Sequence, residues 1–94
     1  MDKIIEILKA KNCSLNNIQD DFLEFQGEVK DCSGDVWNID GSMEIDKDYN
    51  KIHYSIVFSK DGNELDGIAD TVSIKDGDVE DAIDYIINPN FMVI

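Results

Sequence analysis

Ninety-four residues predict one domain, and a 43 % hydrophobic, 31 % charged composition predicts a folded chain over a disordered one. The formal net charge is -13, from 21 acidic residues against 8 basic ones, every one of them Lys. A magnitude of about 2 to 8 keeps a small domain soluble, and the excess disfavours nucleic acid and anionic lipid as direct ligands while favouring a basic protein surface or a cation.

The first residues, Met1 to Glu6, mix charges among apolar positions, unlike a secretory signal. No apolar run approaches the ~20 residues of a membrane span, so the expected location is the cytoplasm. Met1, Ile4, Ile5 and Leu8 follow the i, i+3, i+4, i+7 spacing of one helical stripe, with Asp2 as a candidate N-cap. Lys9 and Lys11 suit the negative end of that helix, which should stop by Asn12. The segment from Cys13 to Asp20 is ambiguous between a helical turn and an irregular strand. Cys13 and Cys32 are the only cysteines, and two reduced thiols are expected.

From Phe22 the period becomes two. Leu23, Phe25, Gly27 and Val29 alternate with Glu24, Gln26, Glu28 and Lys30. Ser33-Gly34-Asp35 signals a turn, after which Trp37, Ile39, Gly41, Met43 and Ile45 alternate with Asn38, Asp40, Ser42, Glu44 and Asp46. Asp46 to Asn50 predicts the next turn. Ile52, Tyr54, Ile56 and Phe58 then alternate with His53, Ser55, Val57 and Ser59, and Asp61-Gly62-Asn63 is a hairpin signal. A less regular strand, about Leu65 to Ile74, follows, with Gly67 as a candidate bulge. Asp76-Gly77-Asp78 closes the sheet. Val79, Ala82, Ile83, Ile86 and Ile87 form the apolar stripe of a second helix with Asp78 as its N-cap, stopped by Asn88-Pro89. Phe91 to Ile94 is an apolar tail. The predicted fold is α+β: a two-layer sandwich of a four-stranded antiparallel meander with the N-terminal and C-terminal helices on one apolar face.

Chemistry-bearing motifs are sparse. Asp46-x-Asp48-x-Asn50 begins like a calcium loop, but Lys51 stands where the sharp turn needs Gly and Val57 where bidentate ligation needs Glu. His53 is the single histidine and no Cys pair has zinc spacing, so no metal is expected. Cys13, Cys32 and His53 match no nucleophile arrangement, and no glycine-rich phosphate loop occurs, so neither a cofactor nor an enzymatic activity is expected. Trp37, Phe25 and Tyr54 fall on core faces; Phe22 and Val36 fall near the ends of polar ones.

The remaining feature is the carboxylates. Alternate residues of a strand project from one face about 6.8 Å apart, two rises of a stacked nucleic-acid strand. Glu24, Glu28, Asp40, Glu44 and Asp46 share the polar sheet face and form the candidate partner-binding set. The pattern predicts an acidic inhibitor that occupies the basic site of a nuclease or other nucleic-acid-handling protein. Anti-CRISPR, anti-restriction and nuclease-immunity proteins are analogies of size and charge for such a role. The alternative is a non-catalytic module that self-associates through Phe91 to Ile94; monomer and homodimer both fit the sequence.

Overall fold

The computed structural model of the chain describes residues 2–75 and 78–89, with the backbone alone at 63–66. Its elements are α1 (Asp2–Ala10), β1 (Ser14–Asn16), β2 (Phe22–Lys30), β3 (Val36–Asp46), β4 (Lys51–Lys60), β5 (Asn63–Ser73) and α2 (Val79–Ile86). The strands form one antiparallel sheet in the order β1-β2-β3-β4-β5, so each pairs with its neighbour in sequence. The α+β meander with a helix at each end is the predicted one, but it has five strands where four were predicted. The added strand, β1, is three residues long and has one half-buried apolar side chain, Leu15, opposite Phe25. Three residues are too few for a two-residue period to register. Ile18, the other apolar residue of the ambiguous segment, is 50 % exposed in the loop that follows.

Asp2 is itself the first helical residue of α1, and not its cap. The helix ends in a Schellman motif. Asn12 takes the left-handed conformation at φ 65°, its N–H donates to the Lys9 carbonyl at 3.1 Å, and the Cys13 N–H donates to the Leu8 carbonyl at 3.0 Å. Cys13 and Leu8 are both buried, which supplies the apolar contact that accompanies this cap. No disulfide joins Cys13 to the exposed Cys32. At α2 the Asp78 carboxylate accepts the Asp81 N–H at 3.2 Å, as the predicted N-cap should.

One apolar cluster holds the layers together. Leu23 and Phe25 of β2, Trp37, Ile39, Met43 and Ile45 of β3, and Ile52, Tyr54, Ile56 and Phe58 of β4 all point to the same side. Ile4 and Leu8 of α1 and Ala82, Ile83 and Ile86 of α2 complete the cluster. Fully burying a side chain such as Ile83 contributes roughly 1.5 to 3 kcal/mol. A Lys11–Asp84 ion pair ties the end of α1 to α2, and the Asp84 hydrogen bond holds the Lys11 ammonium above its usual range. Met1, Asp76, Gly77 and Phe91 to Ile94 lie outside the described residues.

The turns set the registers. Asp61 and Gly62, at φ 56° and 80°, form the two-residue loop between Lys60 and its partner Asn63. Two successive positive φ angles make this a type I′ turn, where glycine carries no Cβ penalty. The irregularity of the β4–β5 ladder lies between Phe58 and Ser59, whose partners are Asp66 and Glu64. The bulge is thus at Leu65, two residues before the predicted Gly67, which pairs regularly with Val57. The β2–β3 turn is organised by Asp31, which sequence reading did not single out. Its Oδ1 accepts the N–H groups of Ser33 at 2.8 Å and Asp35 at 3.0 Å, and its Oδ2 accepts the Trp37 indole N–H at 2.9 Å. Lys60 completes the corner, with its Nζ 2.9 Å from Asp35 Oδ2 and 5.5 Å from the Trp37 ring centroid.

Candidate partner-binding face

The helices cover one side of the sheet, and the outward residues of the other side are mostly polar. On this open side β2 presents Phe22, Glu24, Gln26, Glu28 and Lys30, and β3 presents Val36, Asn38, Asp40, Ser42, Glu44 and Asp46. All five candidate carboxylates therefore share a face. Their arrangement is finer than the strand-by-strand reading suggested. Within β2, Glu24 and Glu28 are four residues apart, as are Asp40 and Glu44 within β3, so neither of these pairs has the two-residue spacing.

The register interleaves them. Asp40 stands opposite Gln26, midway between Glu28 and Glu24, and Glu44 stands opposite Phe22, one outward level beyond Glu24. Glu28, Asp40, Glu24 and Glu44 thus fall on successive outward levels, alternately from β2 and β3. Each step advances about 6.8 Å along the strands, and diagonal neighbours lie about 7 to 8 Å apart. No two of these carboxylates are directly opposed; their partners are Asn38, Gln26, Ser42 and Phe22. Like charges placed directly opposite each other destabilise a sheet, and the stagger avoids that.

The row is not uniform. Glu28, Asp40 and Glu44 are exposed, while Glu24 is half-buried and its Oε1 accepts the Asn17 side-chain N–H at 2.8 Å. Asp46, next along β3, is engaged locally. Its Oδ1 accepts the Asp48 and Tyr49 N–H groups at 3.2 and 3.3 Å, and its Oδ2 is 3.6 Å from His53 Nε2. The His53 Nδ1 is 2.8 Å from Thr71 Oγ1. Backbone capping thus accounts for Asp46, and the four interleaved carboxylates lack an equivalent role in the fold. Positive charge stands only at the ends of the row, with Lys30 opposite Val36 and Lys51 opposite Asp46.

Beyond β3 the charge thins. Outward on β4, Lys51 and His53 precede Ser55 and Val57, which stand opposite Ala69 and Gly67, and Ser59, whose partner is Glu64. A shallow, polar depression of about 420 Å³ lies where Gln26, Glu28, Asn38, Asp40 and Ser59 meet. Phe22 is half-buried and Val36 exposed at opposite ends of the face, as expected from their positions. Trp37, Phe25 and Tyr54 are core, with the Trp37 and Phe58 rings edge to face at 6.4 Å.

Among the described residues no three His, Cys, Asp or Glu side chains converge as a metal site, and no helix is long and apolar enough to cross a membrane. Comparison with family models, with curated proteins and with solved structures returns no match, so the functional reading rests on the chemistry of this face.

Proposed function

We propose that the chain is a cytoplasmic, non-catalytic inhibitor that covers the basic groove of a nuclease or other nucleic-acid-handling protein with its open sheet face. The observation that carries this reading is the interleaved row of Glu28, Asp40, Glu24 and Glu44. It runs as one line of negative charge without a lysine inside it. A phosphate backbone offers a basic groove the same thing: evenly spaced anions on a stiff support. Here the support is a twisted sheet backed by a packed core, so little ordering is needed on association. Beside the row, Ser55 and Val57 of β4 and their partners Ala69 and Gly67 add no charge that competes for such a groove.

The experiment is capture of a partner from host extract at low salt, followed by affinity measurement across salt. Binding should be fast and should weaken steeply toward ~0.5 M salt, where screening acts over a few ångströms. Glu24→Lys combined with Glu44→Lys should weaken it about tenfold or more, since each reversal inserts repulsion into a desolvated groove. Asp2→Lys, at the start of α1, should change it less than about twofold. Affinity that ignores salt, or equal effects from the two sets of reversals, would rule the reading out.

A further inference from the structure

We propose that the chain pairs with a second copy of itself along the outer edge of β2, about a two-fold axis at Val29 that sets Glu28 of each copy against Lys30 of the other. The pairing does not rest on the nucleic-acid reading above and is tested without any other protein.

The two neighbours of β2 share it unequally. β3 pairs with its whole length, Phe22 to Lys30, whereas β1 reaches only from Glu24 to Gln26. The phase of the β2–β3 ladder decides which backbone groups remain. Just beyond the two ends of β2, the Asp31 N–H donates to the Asp35 carbonyl at 3.0 Å and the Ile45 N–H to the Asp21 carbonyl at 2.7 Å. The odd-numbered residues of β2 therefore carry its bonds to β3, and the even-numbered ones turn their N–H and C=O groups to the opposite edge. Glu24 and Gln26 meet β1 there, and the Phe22 carbonyl accepts the Gln19 N–H at 2.7 Å. Glu28 and Lys30 are left. Among the described residues, no turn, loop or β1 bond reaches the backbone of either one on that edge. Both side chains are exposed, and neither has an ion pair among the described residues.

There is room for a strand beside them. A groove of about 560 Å³ borders this edge, with Asn12, Glu28, Val29 and Lys30 among its walls. A Cβ on Gly27, an inward position, would meet the Asn12 carbonyl oxygen at 3.0 Å and Cys13 Sγ at 3.1 Å. By Asn12 the chain has thus left the sheet on its helix side, and the strand position beside Glu28 stays open.

Charge selects the occupant and its register. Centred on Val29, an antiparallel second copy places Glu28 opposite Lys30 and Lys30 opposite Glu28, as hydrogen-bonded pairs that use every N–H and C=O left over on this edge. Val29 then meets Val29 as a close pair on the inward side, beside the core against which it already packs. Centred on Glu28, the pairing opposes two glutamates and drives Lys30 against Gln26, where β1 already lies. Centred on Lys30, it opposes two lysines. Like charges directly opposite each other are unfavourable, and opposite charges are favourable. A lysine on an edge ordinarily discourages pairing, and Lys30 is the only cation in β2 and β3. An unrelated strand would have to supply base, apolar residue and acid in that order, which this edge supplies to itself. Past Lys30 the chain turns at Asp31 toward β3, away from the shared edge, so the ladder is short. A contact of this length belongs at the weak end of protein interfaces.

The test uses the full chain, isotope-labelled, from about 10 μM to about 1 mM in ~0.15 M salt, where a Debye length of about 8 Å screens most of the repulsion between copies. Sedimentation should show mass rising toward that of a dimer, and the resonances of Glu28, Val29 and Lys30 should shift with concentration. Glu28→Lys and Lys30→Glu, both at exposed positions, should each weaken self-association about tenfold or more, since both symmetry-related pairs become like-charged. Mixing the two variants restores opposite charges at every pair, and the mixture should associate within about threefold of the native chain. A chain that stays monomeric at ~1 mM overturns the proposal. So do concentration-dependent shifts confined to other surfaces, variants that associate as the native chain does, or a mixture that fails to recover.

Discussion

Asp31 is the only charged residue buried among the described ones, and its carboxylate accepts three N–H bonds, from Ser33, Asp35 and the Trp37 indole. The Trp37 indole hydrogen bond, helped by the Asp35 and Ser33 amides and by Lys60, pulls its carboxyl below the ordinary 3.8. A carboxyl whose folded value is depressed binds fewer protons in the native state than in the unfolded one. Its stabilisation is therefore complete above about 4 and disappears as pH falls through the lower, folded value. Asp31→Asn should lower the melting temperature at neutral pH, and the gap to the native chain should narrow below pH 4. Thermal melts followed by Trp37 fluorescence across pH 2 to 7 check this; a gap that stays constant would mean that the charge of Asp31 is irrelevant. Sequence reading located the turn from Ser33-Gly34-Asp35 but passed over Asp31. The reason is physical. One more Asp near a turn is uninformative until the indole that reaches it is placed, and that placement depends on the strand that follows.

At the scale of elements, alternation made β2, β3 and β4 legible, because ten buried apolar residues, with Val29 packed against them, fall on one side. The i, i+3, i+4 stripes did the same for α1 and α2. What stayed hidden was whatever depends on pairing. β1 is recognised as a strand only through its bonds to β2, and the bulge opposite Phe58 and Ser59 only through the β4 ladder. Gly41 is another case. It sits opposite Phe25 on the core side, and a Cβ there would lie 2.4 Å from the Ser55 carbonyl oxygen and 2.9 Å from the Phe25 ring. The first of these is backbone and cannot step aside. Gly41→Ala should cost about 1 to 3 kcal/mol of unfolding free energy, and Gly67→Ala, where the nearest atom is 3.7 Å away, less than ~0.5 kcal/mol. Urea titrations of both variants distinguish a close-approach glycine from an ordinary strand glycine; equal losses would contradict the packing at Gly41.

Over the whole molecule the acidity divides into parts with different origins. Asp31, Asp46 and Asp78 cap backbone, and Glu80 and Asp81 sit in the first turn of a helix. Glu28, Asp40, Glu24 and Glu44 have no comparable structural duty. The sequence identified the candidate set and its face, whereas the interleaving emerges only once the β2–β3 register is fixed. With a net charge of -13 and three ion pairs among the described residues, one of them conditional on His53 protonation, self-repulsion opposes compaction. The melting temperature should therefore climb steadily between ~10 mM and ~0.5 M sodium chloride, as the screening length shrinks to a few ångströms. A flat or falling curve would indicate that attractive pairs outweigh the repulsion.

The corner at Asp31 also acts at a distance. It closes the five-residue connection that makes Lys30 the partner of Val36, and every later pairing of the two strands follows from that one. If the ladder slipped by a single residue, each β3 side chain would exchange faces relative to β2. Asp40 and Glu44 would then turn toward the core, and the file of alternating anions would break into two isolated charges. The spacing of the row is thus written by a buried carboxylate that does not belong to it.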